Sequence, residues 1–209
     1  YVSDTEEEQD RIRELLPFIQ DYVDTAKPEI VSKKLMQVLE RNAQTDPLTG
    51  LYNRKYLEKY IDTTLYEGGL KGVSCGVMMV DIDFFKLIND NYGHDIGDIA
   101  IKTIANTLID VVSSKDVVIR FGGEEFIVII VDCDADRMVK VAEEIRIAFS
   151  QQKIQANSEE FSKTCSIGCA LFPNTSKGFW KYVKQSDIAM YEAKQTGRNK
   201  VVKYIDGMK

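Results

Sequence analysis

The chain has 209 residues, 44% of them hydrophobic, and a formal charge of −6. That is enough apolar material for one globular domain plus an appendage, and the negative balance argues against a duplex nucleic-acid binder, which presents a basic face. The longest uninterrupted apolar run, Phe126 to Val131, is far short of the ~20 residues a membrane-spanning helix needs. The chain starts at Tyr1 with no signal-peptide pattern after it, so the expectation is a cytoplasmic piece of a longer protein. An upstream sensor region, with any membrane anchor, then lies outside this piece. Cys75, Cys133, Cys165 and Cys169 lack the paired spacing of metal ligands and His94 is the only histidine. Buried free thiols in a reducing compartment are expected rather than a zinc site.

Residues 1–45 are charged and helical in pattern. Ser3 with Glu6 forms a capping box, and Ile12, Leu15, Leu16, Ile19, Tyr22 and Val23 recur at helical spacing. Pro17 kinks or restarts this helix, and Pro28 opens a second one with Val31, Leu35, Val38 and Leu39 on one side. Stripes of this length commonly pair between chains, so a signalling or dimerisation stalk is expected; the alternative is a helical hairpin packed on its own domain. The domain boundary is set at Asp46. There Pro47 and Gly50 punctuate a turn, and Asn53 caps a helix burying Tyr56, Leu57, Tyr60, Ile61 and Leu65.

Gly76 to Val80 reads as a buried strand, followed by Asp81-Ile82-Asp83-Phe84-Phe85-Lys86. Asp81 and Asp83 are two apart and share a face while the strand continues. Lys86 sits where the next helix starts, and Ile99–Val112 is an amphipathic helix. Asp116 to Asp132 reads DVVIRFGGEEFIVIIVD. Two β-forming runs are joined by Gly122-Gly123, the pair suited to a type I′ turn because both central residues take positive φ. The run Phe126–Val131 is apolar on both faces and therefore central in its sheet. Glu124 and Glu125 at its rim repel each other and lose solvation unless a cation is present. If the Gly76–Val80 strand pairs beside this hairpin, Asp81 reaches the same point as Glu124. Mg²⁺ suits that set: one or two carboxylates, a backbone carbonyl and ligand phosphate oxygens. Downstream, Arg137–Phe149 is a helix with Val139, Ala142, Ile145 and Phe149 inward, and residues 153–172 read as a second hairpin around Ala156-Asn157-Ser158. A last helix places Lys194 and Arg198 four apart, on one side.

Five blocks of this sequence resemble, in order, those of the GGDEF-domain diguanylate cyclases, from about Asp46 to Tyr204. They are DPLTGLYNR at 46–54, DIDFFKLIND at 81–90 with GHDIGD at 93–98, RFGGEEF at 120–126, TCSIGCA at 164–170, and SDIAMYEAKQTGRN at 186–199. The signature turn is the variant with Glu third. The resemblance implies an α/β fold: a five-stranded, mainly antiparallel sheet flanked by helices, like the palm of nucleotide polymerases and class III cyclases, in a domain spanning 46–209.

By the same resemblance the reaction condenses two GTP into cyclic di-GMP and two pyrophosphates, with Mg²⁺ or Mn²⁺ as cofactor, two ions per half-site. Asp81, the Ile82 carbonyl and Glu124 hold metal. Glu124, Glu125 and Lys86 are catalytic, and Lys86, Lys194 and Arg198 contact phosphates. Gly122 and Gly123 lie against the substrate, and Asn89 and Asp98 hold the base. A carboxylate at Asp98 accepts from two N–H donors on guanine's pairing edge, where adenine has no N1–H, so guanine is preferred. His94 is either a ligand contact or a turn histidine. One domain has one GTP pocket while the product joins two guanosines through two bonds, so a homodimer is required. The rival readings are a silent module binding GTP or a cyclic dinucleotide, and a synthase of mixed cyclic dinucleotides.

Family members subject to product inhibition carry an Arg-x-x-Asp pair just before the hairpin; here Asp116 is present but Ser113 stands in the arginine position. Serine cannot make arginine's bidentate, stacked contact with a guanine nucleotide. Titrating cyclic di-GMP into the assay is therefore expected to inhibit weakly or not at all. Strong inhibition restricted to this site would contradict the reading.

Overall fold

The computed structural model describes residues 28–156, 159–173 and 178–208. The stripe from Ile12 to Val23, its Ser3–Glu6 cap and the Pro17 break lie outside the described residues. Two compact units divide the chain, 1–43 and 44–209. Helix α1 covers Pro28–Gln44, with Leu35, Met36, Val38 and Leu39 each more than half exposed. No helix among the described residues is long and apolar enough to cross a membrane.

The second unit is built on a sheet ordered β1-β3-β4-β2-β7-β8. Its strands are β1 (Tyr52–Asn53), β2 (Cys75–Ile82), β3 (Val117–Arg120), β4 (Glu125–Val131), β7 (Cys165–Phe172) and β8 (Val201–Lys203). The β3–β4, β4–β2 and β2–β7 pairs are antiparallel, and the edge pairs β1–β3 and β7–β8 are parallel. The sheet thus has six strands rather than the expected five. Both parallel edge strands are only two or three residues long and pair through backbone alone, so no alternating pattern marks them. The expected second hairpin is also corrected. Ile154–Ala156 (β5) and Glu159–Phe161 (β6) form a separate two-stranded sheet, and the TCSIGCA segment returns instead to the central sheet beside β2.

The apolar runs of β2 and β4 bury both faces. Met78, Val80, Ile82, Phe126, Val128 and Ile130 point into one cluster, Val77, Met79, Ile127 and Ile129 into another. The first cluster is covered by α3 (Phe85–Tyr92), α4 (His94–Val111) and α5 (Ala135–Gln151). The second is covered by α2 (Arg54–Tyr60, continued by a wider π-helical stretch, Ile61–Tyr66) and α6 (Phe179–Gln195). Asn53 caps α2 by accepting from Tyr56 N at 3.1 Å. In α5 the buried stripe is Met138, Ala142, Ile145 and Phe149; Met138 replaces the expected Val139, because the stripe runs at helical steps of four, three and four. All four cysteines are free and buried.

Gly168 marks where α6 crosses the sheet. A methyl on it would overlap the backbone of Ser186 and Met190, and backbone cannot rotate away as a side chain can. Gly168→Ala is therefore expected to lower stability by about 3 kcal/mol or more, read as a drop in the urea midpoint. An unchanged midpoint would show that α6 is not held by this approach.

Candidate active site

The face of the sheet covered by α6 decides where the chemistry collects. By alternation along β2, Asp81 lies on the same side as Val77 and Met79, toward α6. Asp81 is paired in register with Glu125 on β4, and Glu125 shares that side with Ile127 and Ile129. Lys194 follows Met190, a member of the same cluster, by one helical turn of α6. It reaches Asp81 Oδ2 at 2.7 Å. The register thus opposes Asp81 to the second acid of the turn rather than the first, although both acids act on it electrostatically.

Asp81 is 4% exposed, and its carboxyl is pushed up to about 6. Burial is the main cause; the Lys194 hydrogen bond and charge pull it back, while Glu124 and Glu125 push it further up. Among the described residues no three side chains of His, Cys, Asp or Glu converge to cage a metal by themselves. The donors near Asp81 are hard oxygens, too few to close a shell, with acids that disfavour one another's charge. That set fits a magnesium-type ion that keeps water and takes ligand phosphates.

The turn is not the two-residue type I′ expected. The connection between β3 and β4 runs over four residues, Phe121–Glu124, and neither Gly122 nor Gly123 has positive φ. Phe121 N and Gly122 N both donate to Glu125 O, at 2.9 and 3.2 Å. A longer loop has no need of mirror-image dihedrals. A methyl on Gly122 would meet only the carboxylate end of the Glu125 side chain, which can swing aside, and Gly123 faces open space.

Arg120, which the sequence reading passed over, clamps this loop. Its Nε and Nη2 donate to Gly123 O at 3.1 and 2.8 Å, and its Nη1 donates to both carboxylate oxygens of Asp46 at 2.9 and 3.0 Å. Burial opposes ionisation of Asp46, but hydrogen bonds from Thr49 and Arg120 outweigh it and hold its carboxyl below the usual range. The signal was a lone arginine opening an otherwise acidic turn. The tie to Asp46, 74 residues away, is invisible in one dimension.

Lys86 is exposed in the first turn of α3. Asn89, on α3, turns its buried Oδ1 toward Gly97, where no donor meets it. A side chain at Gly97 would displace that oxygen. Asp98 follows Gly97 and is exposed, as is His94 at the start of α4. A buried acceptor without a donor is a cost that the fold carries at this end of α3. Arg198 lies 4.4 Å above the Phe84 ring, and the structure separates it from Lys194, which is engaged with Asp81.

Asp116 is otherwise occupied. Its side chain is 2% exposed; Oδ2 accepts from Ser113 N and Oγ at 2.9 and 2.7 Å, and Oδ1 from Val131 N at 2.9 Å. Removing it would disturb the sheet, so Ser113→Arg is the cleaner probe of inhibition. The adjacent cavity, about 460 Å³, includes the apolar Leu51, Ile109, Val112 and Val118 in its lining.

A profile described as "Diguanylate cyclase, GGDEF domain" matches residues 43–200. The response regulator PleD of Caulobacter vibrioides is 36% identical over 185 residues, covering 84% of this chain and 41% of PleD. Diguanylate cyclase DosC of Escherichia coli is 33% identical over 166 residues, covering 79% of this chain and 36% of DosC. The chain therefore spans about two fifths of the length of these curated relatives. The coiled coil and GGDEF domain of DgcB from Caulobacter crescentus, solved with c-di-GMP, superposes with a TM-score of 0.77 at 31% identity, covering 90% of this chain and 98% of that one.

The raised carboxyl of Asp81 has a thermodynamic signature. Its ordinary value is 3.8 and its folded value about 6. Between those the folded state binds more protons than the unfolded state, so stability falls as pH rises from about 4 to 6, and the loss of about 3 kcal/mol is complete above that. Metal-free protein carrying Asp81→Asn is expected to gain stability relative to the parent across that window, with a constant difference above about pH 7. Unfolding midpoints from pH 4 to 8 measure it; a pH-independent difference would contradict the assignment.

Proposed function

The chain belongs to the GGDEF family of diguanylate cyclases, and from that premise we propose that it condenses two GTP into cyclic di-GMP and two pyrophosphates. The observation that carries this reading is buried Asp81, paired with Lys194, opposite Glu125 in register and within the electrostatic reach of Glu124 beside the clamped glycine turn. A divalent ion held by Asp81, the Ile82 carbonyl and Glu124 would neutralise triphosphate charge and lower the pKa of a 3′-hydroxyl.

The chain's own residues do the rest. Asn89 Oδ1 and the Asp98 carboxylate accept from the base, which favours guanine over adenine. Lys86 and Arg198 bind phosphate oxygens and stabilise charge developing there, and Lys194 divides its charge between Asp81 and the phosphates. Glu124 takes the hydroxyl proton, with Glu125 as the second acid. Gly123, open on its outer side, leaves room for nucleotide against the turn.

Two bonds must form between two guanosines, and each chain supplies one pocket. Two copies therefore face each other, each presenting its hydroxyl to the other's α-phosphate, and activity depends on their association. In the longer protein, an upstream input would act on how the copies meet.

Chromatography of products from GTP, ATP and a mixture is the test. GTP is expected to give one product, cyclic di-GMP, ATP none, and the mixture no hybrid. Specific activity should fall on dilution as the dimer dissociates. Binding without turnover would identify a silent module, and a hybrid product a mixed-dinucleotide synthase.

A further inference from the structure

A second buried carboxylate, Asp83, lies two residues beyond Asp81 at the end of β2. Asp83 is 1% exposed, yet every contact it makes is with protein. Its Oδ1 accepts from Ser166 Oγ at 2.7 Å, and its Oδ2 from Thr164 Oγ1 at 2.7 Å and Asn199 N at 2.9 Å. Its own N donates to Thr164 O at 2.9 Å. Three donors suit a carboxylate, which only accepts, whereas an amide would turn its NH₂ toward one of them.

What Asp83 joins is unusual backbone. Of the four non-glycine residues with positive φ among the described residues, three lie here: Phe84 (φ 57), Arg198 (φ 60) and Asn199 (φ 46). Such conformations persist only where surrounding contacts over-determine them. Phe84 follows Asp83 directly and precedes the helix that bears Lys86. Asn199 N is bonded to Asp83, and Arg146 Nη1 grips the Asn199 side chain at 2.9 Å. Arg198, between α6 and that anchor, stacks its guanidinium on the Phe84 ring. One carboxylate thus locks two strained corners together, and both corners carry cations.

We propose that Asp83 is a positioning residue for nucleotide binding: through Asn199 N and Phe84 it holds Arg198 and Lys86 in the geometry that receives the triphosphate. This rests on the nucleotide reading above and adds to it. The proposal gives Asp83 no direct contact with metal or nucleotide: it is 1% exposed and engaged by Thr164, Ser166 and Asn199.

The test measures binding of α,β-methylene GTP, which cannot be cleaved at the reacting bond, by calorimetry with Mg²⁺, together with Mn²⁺ binding and turnover of GTP. Asp83→Asn is expected to weaken nucleotide binding about tenfold, with Mn²⁺ affinity unchanged and kcat at saturating GTP reduced about threefold or less. In an Arg198→Ala background, Asp83→Asn should weaken binding clearly less than it does in the parent, because one of the two cations it positions is gone. Should Asp83→Asn fail to fold, Ser166→Ala removes one donor and keeps the carboxylate; it is expected to weaken binding two- to threefold, about the size set by one lost hydrogen bond, and to show the same coupling to Arg198. Additive effects with Arg198→Ala, or loss of Mn²⁺ binding in step with nucleotide binding, would overturn the proposal. Absence of nucleotide binding by the parent protein would overturn the functional reading as well, whereas binding without turnover would overturn the catalytic reading alone, and the coupling between Asp83→Asn and Arg198→Ala would still support or overturn this proposal.

Discussion

The structure turns on an electrostatic conflict at the end of two buried strands. Asp81 closes β2 and Glu125 opens β4, directly opposite in register, with Glu124 adjoining. Two like charges at such a position destabilise the fold unless something cationic answers them. Lys194 supplies part of that answer from α6 by pairing with Asp81. Burial still leaves Asp81 reluctant to ionise. A site built this way is primed for added positive charge, and the proposed divalent ion follows from that imbalance rather than from a preformed cage.

Around this centre, the architecture converts distant segments into supports. Arg120 fixes the Gly123 carbonyl and at the same time engages Asp46, so the loop between β3 and β4 is anchored to the start of the domain. Asp83 performs the matching task on the other side, tying β7 and the turn after α6 to the corner that follows β2. Gly168 lets α6 approach closely enough for Lys194 to reach across. The side chains proposed to meet a ligand are thereby braced by others, Arg120 and Asp83, whose hydrogen bonds run to protein groups.

Where expectation and structure part, the causes are geometric. Doubled glycine between β-runs is the usual sign of a mirror-image turn; the loop here is two residues longer, and neither glycine takes positive φ. The last hairpin was drawn too large because a short strand pair and a long strand stand nearly adjacent along the chain, and only sheet pairing tells them apart. Asp116 kept its identity from an inhibitory pattern while its oxygens serve Ser113 and Val131 N.

From residue order alone came the unbroken apolar runs that bury β2 and β4, the cap at Asn53, the apolar stripes of the helices, and the family to which the chain belongs. These rest on periodicity and on short-range chemistry, both of which are written along one dimension. Which acid faces which, that Lys194 answers Asp81 while Arg198 stacks on Phe84, and that Asp83 and Arg120 are braces, were settled only in three dimensions. Register, the face a strand turns to a helix, and contacts between residues 74 or 116 positions apart depend on how the sheet is assembled, and no local pattern encodes that assembly.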